Sequence, residues 1–189
     1  MGQLSLRELI LCALFVALVA VGALIRIPVG TDVFTLQFMF TLLAGLLLGP
    51  RLGATAVAVY ILLGLIGVPV FASGGGPGYI LQPTFGYLLG FVVQAWSCGW
   101  AARRGAVTFK RLLLINFGGM VIVYAFGLVW FYVISNYVID APVALYWVIL
   151  YCGILQIPPD ALLCVAAAAA AKRGLSAGIW LNPPRRTGR

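Results

Sequence analysis

The residue with the clearest chemical potential is Asp160, a carboxylate in the last long apolar segment, directly after Pro158-Pro159. A carboxylate near membrane depth costs about 2.5–3.5 kcal/mol on insertion scales, so it usually faces a cavity or a partner group. The double proline suits the first turn of a helix, where the macrodipole favours an ionised side chain. We predict that Asp160 binds a ligand. The alternative is a helix-start residue near the interface that contacts no ligand.

Four side-chain amides in otherwise apolar surroundings form the second group of candidates. They are Gln37, Gln82, Asn116 and Gln156. An amide in such a setting either contacts a ligand or forms an interhelical hydrogen bond, because both uses satisfy its donors and its acceptor. We include all four among the predicted ligand-binding residues, and interhelical hydrogen bonding is the alternative for each.

Three aromatic residues, Phe71, Tyr79 and Tyr87, lie in or beside the glycine-rich centre of the chain. Aromatic rings provide large apolar walls for a bound ligand. They are equally common where a membrane protein meets the lipid–water interface. We include these rings in the predicted pocket, with the interfacial position as the alternative.

The sequence contains no arrangement suited to catalysis. It has no histidine, and its four cysteines, Cys12, Cys98, Cys152 and Cys164, show no CxxC spacing. Catalytic Ser–His and Cys–His pairs, haem ligation by histidine and Cys/His zinc sites are therefore excluded. The Gly74–Gly78 run lacks the lysine of a phosphate-binding loop. We predict no catalytic residues, no metal and no cofactor.

The composition indicates an integral membrane protein. Hydrophobic residues make up 63% of the 189 residues and charged residues only 8%, and the mean hydropathy is +1.11. A soluble domain carries about 25% charged residues. The net charge of +8 could suggest nucleic-acid binding, but the basic residues cluster at the ends of apolar segments, as membrane topology requires. We expect no nucleic-acid partner.

The apolar segments predict an all-α membrane protein with six transmembrane helices in a single domain covering residues 1–189. The helices are expected at about 6–25, 36–48, 52–66, 83–102, 112–132 and 144–171, followed by a basic cytoplasmic tail over 172–189. The second and third are short for a span of about 20 residues. Pro158-Pro159 should kink the last helix or restart it. Gly45, Gly49 and Gly53 predict close helix contact at the hairpin between helices two and three.

The distribution of positive charge orients these helices. With both termini cytoplasmic, every lysine and arginine except Arg26 falls on the inner side, while Asp32 and Asp140 fall on the outer side. This agrees with the positive-inside rule. It places the two Gly/Pro-rich interruptions, Ile27–Gln37 and Gly67–Gly90, on the outer face.

Those two interruptions, here named loop 1 and loop 3, are predicted to cover a ligand pocket. Between Gly67 and Gly78, five of twelve residues are glycine and two are proline, which predicts neither a helix nor a packed strand. The apolar residues of loop 3 make it unsuited to a solvated linker. Irregular backbone at membrane depth must be buried by protein or line a cavity. The alternative is an extramembrane connection without a ligand role.

Residues Ile27–Phe91 resemble the BioY family of biotin transporters. The motifs that carry the resemblance are FTLQ at Phe34–Gln37, LAGLLLGPRLG at Leu43–Gly53, YILLGLIGVPVFASGGG at Tyr60–Gly76 and PTFGYLLGF at Pro83–Phe91. They cover about a third of the chain in order, and the six predicted helices and Asp160 fit the remainder.

The resemblance implies a substrate-capture subunit of an energy-coupling-factor transporter in the cytoplasmic membrane. Such a subunit binds biotin from outside and docks on a transmembrane coupling subunit that is driven by two ATPases. Ala13 and Ala17 resemble the small-residue pattern with which the first helix of these subunits meets the coupling protein. Uptake by the chain alone, as a homo-oligomer, remains open.

The resemblance also implies how the pocket holds biotin. Phe71 and Tyr79 would provide apolar walls for the fused rings, and Asp160 would accept hydrogen bonds from the ureido N–H groups. The family commonly has a lysine soon after this acidic residue, whereas the next lysine here is Lys172. The resemblance therefore does not identify the group that binds the biotin carboxylate. Arg26 is the one cation predicted on the outer side.

Overall fold

The computed structural model describes residues 5–29 and 32–181 and shows a bundle of six helical segments, which confirms the predicted all-α fold. The segments are α1 Leu6–Leu24, α2 Gln37–Leu48, α3 Pro50–Leu65, α4 Phe85–Arg103, α5 Phe109–Tyr137 and α6 Leu145–Ser176. Within the described residues, α1, α5 and α6 are long and apolar enough to cross a membrane, while α2 and α3 are shorter apolar helices.

Local capping explains where several helices begin. At α1, the Ser5 side chain accepts from the Glu8 backbone N–H, and the Glu8 carboxylate accepts from the Ser5 backbone N–H, forming a capping box. At α5, the Thr108 side chain accepts from the Arg111 backbone N–H. Helix α3 begins with Pro50 directly after Gly49, whose positive φ of 97° makes the tight α2–α3 turn possible.

The predicted close packing at the α2–α3 hairpin depends on two glycines. A Cβ atom on Gly45 would lie 2.3 Å from the Ala95 carbonyl oxygen of α4. A Cβ atom on Gly53 would lie 2.6 Å from the Ala44 carbonyl oxygen of α2. These helices therefore approach at backbone contact, which is how small residues stabilise helix association in lipid.

Loop 1 contains structure that the sequence did not predict. Arg26–Val29 (β1) and Asp32–Thr35 (β2) pair as a two-stranded antiparallel hairpin, with Arg26 opposite Thr35. The β-branched residues of both strands favour extended backbone. The interruption predicted after the first helix is correct, but it holds a hairpin rather than irregular backbone.

Loop 3 is irregular only as far as Gly76. Gly74 and Gly76 adopt positive φ angles of 113° and 108°, and Phe71 pairs with Gly74 in an isolated bridge. A 3-10 helix then runs over Pro77–Leu81, beginning at a proline, which is preorganised for a first helical position. The prediction that Gly67–Gly78 holds no helix is therefore wrong for its last two residues, Pro77 and Gly78.

Helix α6 changes type along its length. A short α-helical turn at Leu145–Trp147 leads into a π-helix over Val148–Gly153 and a 3-10 turn over Ile154–Gln156, and a regular α-helix follows over Ile157–Ser176. Pro158 and Pro159 have no N–H to donate to the carbonyls four residues earlier. The interruption predicted at the double proline therefore lies just before it, and Asp160 is in the first turn of the regular helix.

The segment predicted as a basic tail from residue 172 begins instead as helix. Helix α6 continues to Ser176, and Trp180 and Leu181 are buried against the bundle. Trp180 Nε1 donates to the Ala171 carbonyl at 2.7 Å, and the Leu181 backbone N–H donates to the Leu47 carbonyl at 2.9 Å. Residues 182–189, the rest of that predicted tail, lie outside the described residues.

The two ends of the described chain meet at the same end of the bundle. Arg7 Nη2, at the start of α1, donates to the Gly178 carbonyl at 2.6 Å. Residues 7 and 178, near the two ends of the described chain, therefore lie on one side of the bundle. The assignment of that side to the cytoplasm remains a prediction from charge.

Candidate ligand-binding site

A cavity of about 300 Å³ opens at the end of the bundle where loops 1 and 3 lie. Both loops and four helices, α2, α4, α5 and α6, contribute to its lining. The lining residues are Thr35, Gln37, Phe38, Ala72, Ser73, Tyr79, Gln82, Pro83, Thr84, Tyr87, Leu88, Phe91, Val123, Tyr124, Phe131, Gln156 and Asp160. Its size is at the lower end of the range for small-molecule sites.

Asp160 lines this cavity and is only 6% exposed. Its carboxylate oxygen Oδ2 accepts a hydrogen bond of 2.7 Å from the Tyr124 hydroxyl of α5. A carboxylate has about four acceptor positions, so Asp160 can accept from this tyrosine and from a ligand simultaneously. Tyr124 orients the carboxylate, and the position after Pro158-Pro159 sets its angle of approach.

Two of the predicted amides are buried in the cavity wall. Gln37 is 4% exposed, its side chain lies beside the Tyr60 hydroxyl, and its Nε2 makes no hydrogen bond of ordinary geometry with any residue that the structure describes. Gln156 is also buried and lies one helical turn before Asp160. A buried amide donor without a partner loses free energy unless a ligand or a water molecule pairs with it. The Gln37 amide is therefore available to a ligand.

The other two predicted amides have different positions. Gln82 is exposed and contributes to the lining from loop 3. Asn116 is fully buried outside the lining, where its Nδ2 donates to the Cys164 carbonyl of α6 at 2.8 Å. This hydrogen bond joins α5 to α6, which is the interhelical alternative stated above for such an amide. The structure does not bring Asn116 to the cavity.

Two of the three predicted aromatic residues line the cavity, and the third packs behind one of them. Tyr79 and Tyr87 line the cavity, and the Tyr87 hydroxyl donates to the Cys152 carbonyl in the π-helical part of α6 at 2.9 Å. Phe71 lies behind Tyr79 with ring centroids 4.4 Å apart, and does not line the cavity itself. Its ring packs directly against Gly64, where a Cβ atom would lie only 2.1 Å from Phe71 Cζ. Phe71 therefore supports Tyr79 rather than touching the cavity.

Arg26 is exposed and does not belong to the lining. Its guanidinium Nη1 donates to the Ala72 carbonyl of loop 3. Ala72 and Ser73 do line the cavity. Arg26 therefore connects the loop 1 hairpin to the part of loop 3 that borders the cavity, in place of the direct ligand contact that the sequence suggested.

Tyr124 is the main site residue that the sequence reasoning missed. It lies in the apolar run of α5, 36 residues before the carboxylate to which it donates. Helical spacing offered one signal: Asn116, Met120 and Val123 mark the buried face of α5, and Tyr124 is adjacent to it. The hydroxyl-bearing lining residues Thr35, Ser73 and Thr84 were also missed, since isolated Ser and Thr residues in loops carry no distinctive pattern.

The chemistry of the lining suits binding rather than reaction. Among the lining residues that the structure describes, Asp160 is the one carboxylate and none carries a positive charge. The described residues contain no group of three or more His, Cys, Asp or Glu side chains that could hold a metal ion. Apolar and aromatic walls with one buried carboxylate and several amide and hydroxyl groups suit an organic ligand that offers N–H donors. The fold and this site define a multi-pass membrane protein with a small-molecule cavity near one end of its helices.

Comparison with known proteins identifies the family. The model of the BioY family matches residues 1–178. The chain is 42% identical over 172 residues to the probable biotin transporter BioY of Lysinibacillus sphaericus. This alignment covers 90% of this chain and 88% of that protein. It is 42% identical over 136 residues to the biotin transporter BioY of Thermotoga maritima, covering 71% and 78% of the two chains. This chain belongs to the BioY family.

A solved structure has the same fold. The S-component for biotin from an ECF-type ABC transporter superposes with a TM-score of 0.78 at 25% sequence identity, covering 90% of this chain and 91% of that chain. The resemblance stated from the motifs between Ile27 and Phe91 is thereby confirmed across nearly the whole chain.

Proposed function

We propose that this chain binds biotin with high affinity and takes it up across the cytoplasmic membrane of a cell. The single observation that carries the proposal is the cavity lined by Asp160 and Gln37 in a member of the BioY family. The relatives named above are described as biotin transporters or as the biotin S-component of an ECF-type transporter. The family is one of transporters, and we assign no enzymatic activity to the chain.

In the proposed complex, the ureido ring of biotin lies at the deep polar end of the cavity. Asp160 accepts from one or both ureido N–H groups, and the Gln37 amide Nε2, which has no hydrogen-bond partner among the described residues, donates to the ureido carbonyl. Hydrogen bonds to an ionised acceptor are about twice as strong as those between neutral groups. Tyr79 and Phe91 provide apolar surface for the fused rings.

The biotin carboxylate is proposed to lie toward the exposed rim. No cation is among the described residues that line the cavity, so neutral donors are proposed to bind the carboxylate there. Ser73, Gln82 and Thr84 supply hydroxyl and amide groups at that rim. A carboxylate that remains partly hydrated needs no buried positive charge, because water offsets the desolvation cost. This arrangement accounts for the absence of a lysine soon after Asp160.

The proposed partners are a transmembrane coupling subunit and two ATPase subunits. Ala13 and Ala17 are exposed on the surface of α1 that faces away from the bundle, so they are accessible to another helix. Small side chains allow such a helix to approach closely in lipid. Function of the chain alone, as a homo-oligomer, is the second mode we propose to test.

Uptake of radiolabelled biotin tests the proposal directly. The chain is expressed in a biotin-requiring host that lacks its own transporter, alone and together with coupling and ATPase subunits. We expect saturable uptake in at least one condition, and unlabelled biotin should compete better than other vitamins. Absence of both uptake and binding in purified protein would refute the proposal, while competition by another vitamin alone would reassign the ligand.

The docking surface is tested with one bulky substitution. We expect Ala13→Trp to reduce co-purification of the coupling subunit by tenfold or more, because the side chain separates the two helices. Biotin binding to the isolated chain should stay within about twofold of the parent, since Ala13 lies outside the cavity lining. The matched control is Leu14→Trp on the neighbouring, half-exposed position. Equal loss of biotin binding and of docking in Ala13→Trp would show that Ala13 serves folding.

A further inference from the structure

Tyr87 of α4 forms part of the cavity wall, and its position depends on a glycine of the neighbouring helix α5. Gly127 is buried, and a Cβ atom there would lie 2.3 Å from Tyr87 Cε1 and 2.6 Å from Tyr87 Cζ. Carbon atoms in favourable contact are about 3.5–4.0 Å apart. Even an alanine at this position would therefore force the ring to move.

Contacts before and after Gly127 hold α4 and α5 at a fixed separation. Four residues earlier on α5, Val123 Cα lies 2.9 Å from where a Cβ atom on Gly90 would be. Three residues later, Trp130 Cβ lies 2.2 Å from where a Cβ atom on Gly86 would be. Small residues let the two backbones approach this closely. Separating the helices to admit a side chain at position 127 would break both contacts.

The hydroxyl end of the Tyr87 ring is fixed by a third helix. It donates to the Cys152 carbonyl at 2.9 Å, in the π-helical part of α6. In a regular α-helix, that carbonyl would accept from the backbone N–H four residues later. The 3-10 turn over Ile154–Gln156 uses bonds three residues apart instead, so the carbonyl is available to the tyrosine. The buried Cys152 therefore anchors the ring.

These contacts determine where a displaced ring would go. Gly127 lies behind the ring and Cys152 holds its hydroxyl, while another side of the ring borders the cavity. A ring pushed away from α5 would enter the cavity and lose its hydrogen bond to α6. The cavity is only about 300 Å³, at the lower end of the range for small-molecule sites. Such a movement would therefore narrow it substantially.

We propose that Gly127 is a specificity-determining residue, although it does not line the cavity. The missing side chain lets the Tyr87 ring lie back against α5, and this gives the cavity the width that a fused bicyclic ligand needs. The inference rests on the proposed function, because it takes biotin as that ligand. It goes further by assigning the selection of ring width to the contact between Tyr87 and Gly127.

The position of Tyr87 along the cavity relates this contact to the fused rings. Tyr87 lies one helical turn from Phe91 on α4, on the side toward the rim, where Thr84 precedes the helix. The ring therefore borders the middle of the cavity, between the polar end at Asp160 and the rim. A difference of one methylene in an apolar pocket changes binding by about 10- to 200-fold. A ligand that is narrower at this level should therefore tolerate a displaced ring better than biotin does.

Calorimetric titration of the purified full chain with biotin and with desthiobiotin tests the proposal. Desthiobiotin keeps the ureido ring and the carboxylate but lacks the sulfur bridge that closes the second ring. Gly127→Ala should weaken biotin binding by about ten- to hundred-fold, from the cost of overpacking. Desthiobiotin binding should weaken by less than about threefold. Equal losses for the two ligands, or no loss for either, would overturn the proposal.

The matched control is Gly118→Ala on the same helix. A Cβ atom on Gly118 would meet no heavy atom of the described residues within 4 Å. Both ligands should therefore bind within about twofold of the parent, since the added methyl group displaces no neighbour. A loss of biotin binding as large as that of Gly127→Ala would show that any added methyl group on α5 has this effect, and would overturn the proposal.

A double variant separates the ring contact from the packing of α5. Tyr87→Ala removes the ring that Gly127 contacts and should itself weaken biotin binding. Adding Gly127→Ala to it should then change biotin affinity by less than about twofold, because the two residues act through one contact. The double variant should also fold as well as Tyr87→Ala alone. A further tenfold loss, or a failure to fold, would show that Gly127 serves helix packing and would overturn the proposal.

A crystal structure of ligand-free Gly127→Ala decides the position of the ring without any assumption about the ligand. We expect the Tyr87 ring inside the cavity, with its hydroxyl separated from the Cys152 carbonyl. A ring in its parental position, with α5 shifted instead, would overturn the proposal. If the parent chain binds no biotin, the proposed function fails, while the ring position in this structure still decides whether Gly127 sets the width of the cavity.

Discussion

At the cavity end of the bundle, buried polar groups retain unused hydrogen-bonding capacity, whereas at the opposite end a comparable group is extensively paired. Gln37 Nε2 has no partner among the described residues, and the same is true of Gln94 Nε2 deeper in the bundle. Arg103, by contrast, donates to the carbonyls of Leu46, Leu47, Gly99 and Leu181 at 2.8–3.4 Å. Unpaired donors cost stability. The unpaired donor of Gln37 lies in the cavity lining, which favours a ligand-binding role for this end.

The backbone shows the same contrast. Around the cavity lie a hairpin, a glycine-rich loop and the π-helical and 3-10 parts of α6. Around Arg103, the ends of α2 and α4 and the segment at Trp180–Leu181 are joined by hydrogen bonds to one guanidinium and by Trp180 Nε1 to Ala171. Irregular backbone is easier to rearrange than packed helix ends. We infer that ligand entry moves the cavity end while the other end stays rigid.

The largest expected effect on the ligand is that of Asp160→Asn. This change keeps the shape of the side chain and removes its charge, so biotin affinity should fall by about 1.5–3 kcal/mol, or roughly ten- to hundred-fold. Calorimetric titration of purified protein with biotin measures the loss. The free energy of unfolding without ligand should change little. Unaltered affinity would leave Asp160 with only a structural role at the helix start.

The reverse pattern is expected for Arg103→Gln. Loss of several charge-assisted hydrogen bonds should lower the free energy of unfolding by about 2 kcal/mol, measured by unfolding in mixed detergent micelles. Biotin affinity should remain within about twofold, because Arg103 is at the far end of α4 from the cavity. Arg104→Gln, the exposed neighbour, is the matched control. A loss of affinity as large as that of Asp160→Asn would contradict the division between the two ends.

The sequence predicts the helices and their close packing better than it predicts the cavity. The six helices follow from hydropathy, and the close approach at Gly45 and Gly53 follows from glycine spacing, because both depend on local pattern. The cavity depends on which residues from distant segments meet. Asp160, Gln37 and Gln156 are polar exceptions in apolar sequence and could be found. That these three residues lie in one cavity could not be predicted from the sequence.

The side chains whose contacts the sequence did not predict have one physical cause in common, because each contact depends on a partner remote in the chain. Tyr124 was missed because an aromatic in an apolar helix resembles core, and only its bond to Asp160 distinguishes it. Phe71 was placed in the pocket, but Gly64 lets its ring lie behind Tyr79. Asn116 was predicted as a ligand contact, but the Cys164 carbonyl is its partner. Arg26 was predicted at the site, and the structure pairs its guanidinium with the Ala72 carbonyl of loop 3.

A smaller effect is expected for Tyr124→Phe. Removing the hydroxyl withdraws one neutral-to-charged hydrogen bond from Asp160, so the carboxylate becomes less well oriented. Biotin affinity should fall by about 1 kcal/mol, or roughly fivefold. The combination with Asp160→Asn is informative, because two residues that act through one hydrogen bond should give less than the sum of their separate effects. Strict additivity, measured by the same calorimetric titration, would show that Tyr124 acts independently of Asp160.

The smallest expected effect, and the one that tests movement at the cavity end, is that of Arg26→Gln. Arg26 joins the loop 1 hairpin to the carbonyl of Ala72, whose neighbour Ser73 also borders the cavity. A glutamine cannot reach as far, so the two loops should separate more readily. Because this bond holds the entrance rather than the ligand, biotin association and dissociation rates should both rise by about two- to fivefold while the equilibrium affinity changes by less than twofold. Stopped-flow measurements with a fluorescent biotin conjugate and competition by unlabelled biotin resolve the two rates. If only dissociation accelerates, and affinity falls in proportion, Arg26 contacts the ligand or its carboxylate in the bound state, and the sequence-based assignment of Arg26 to the site would be restored.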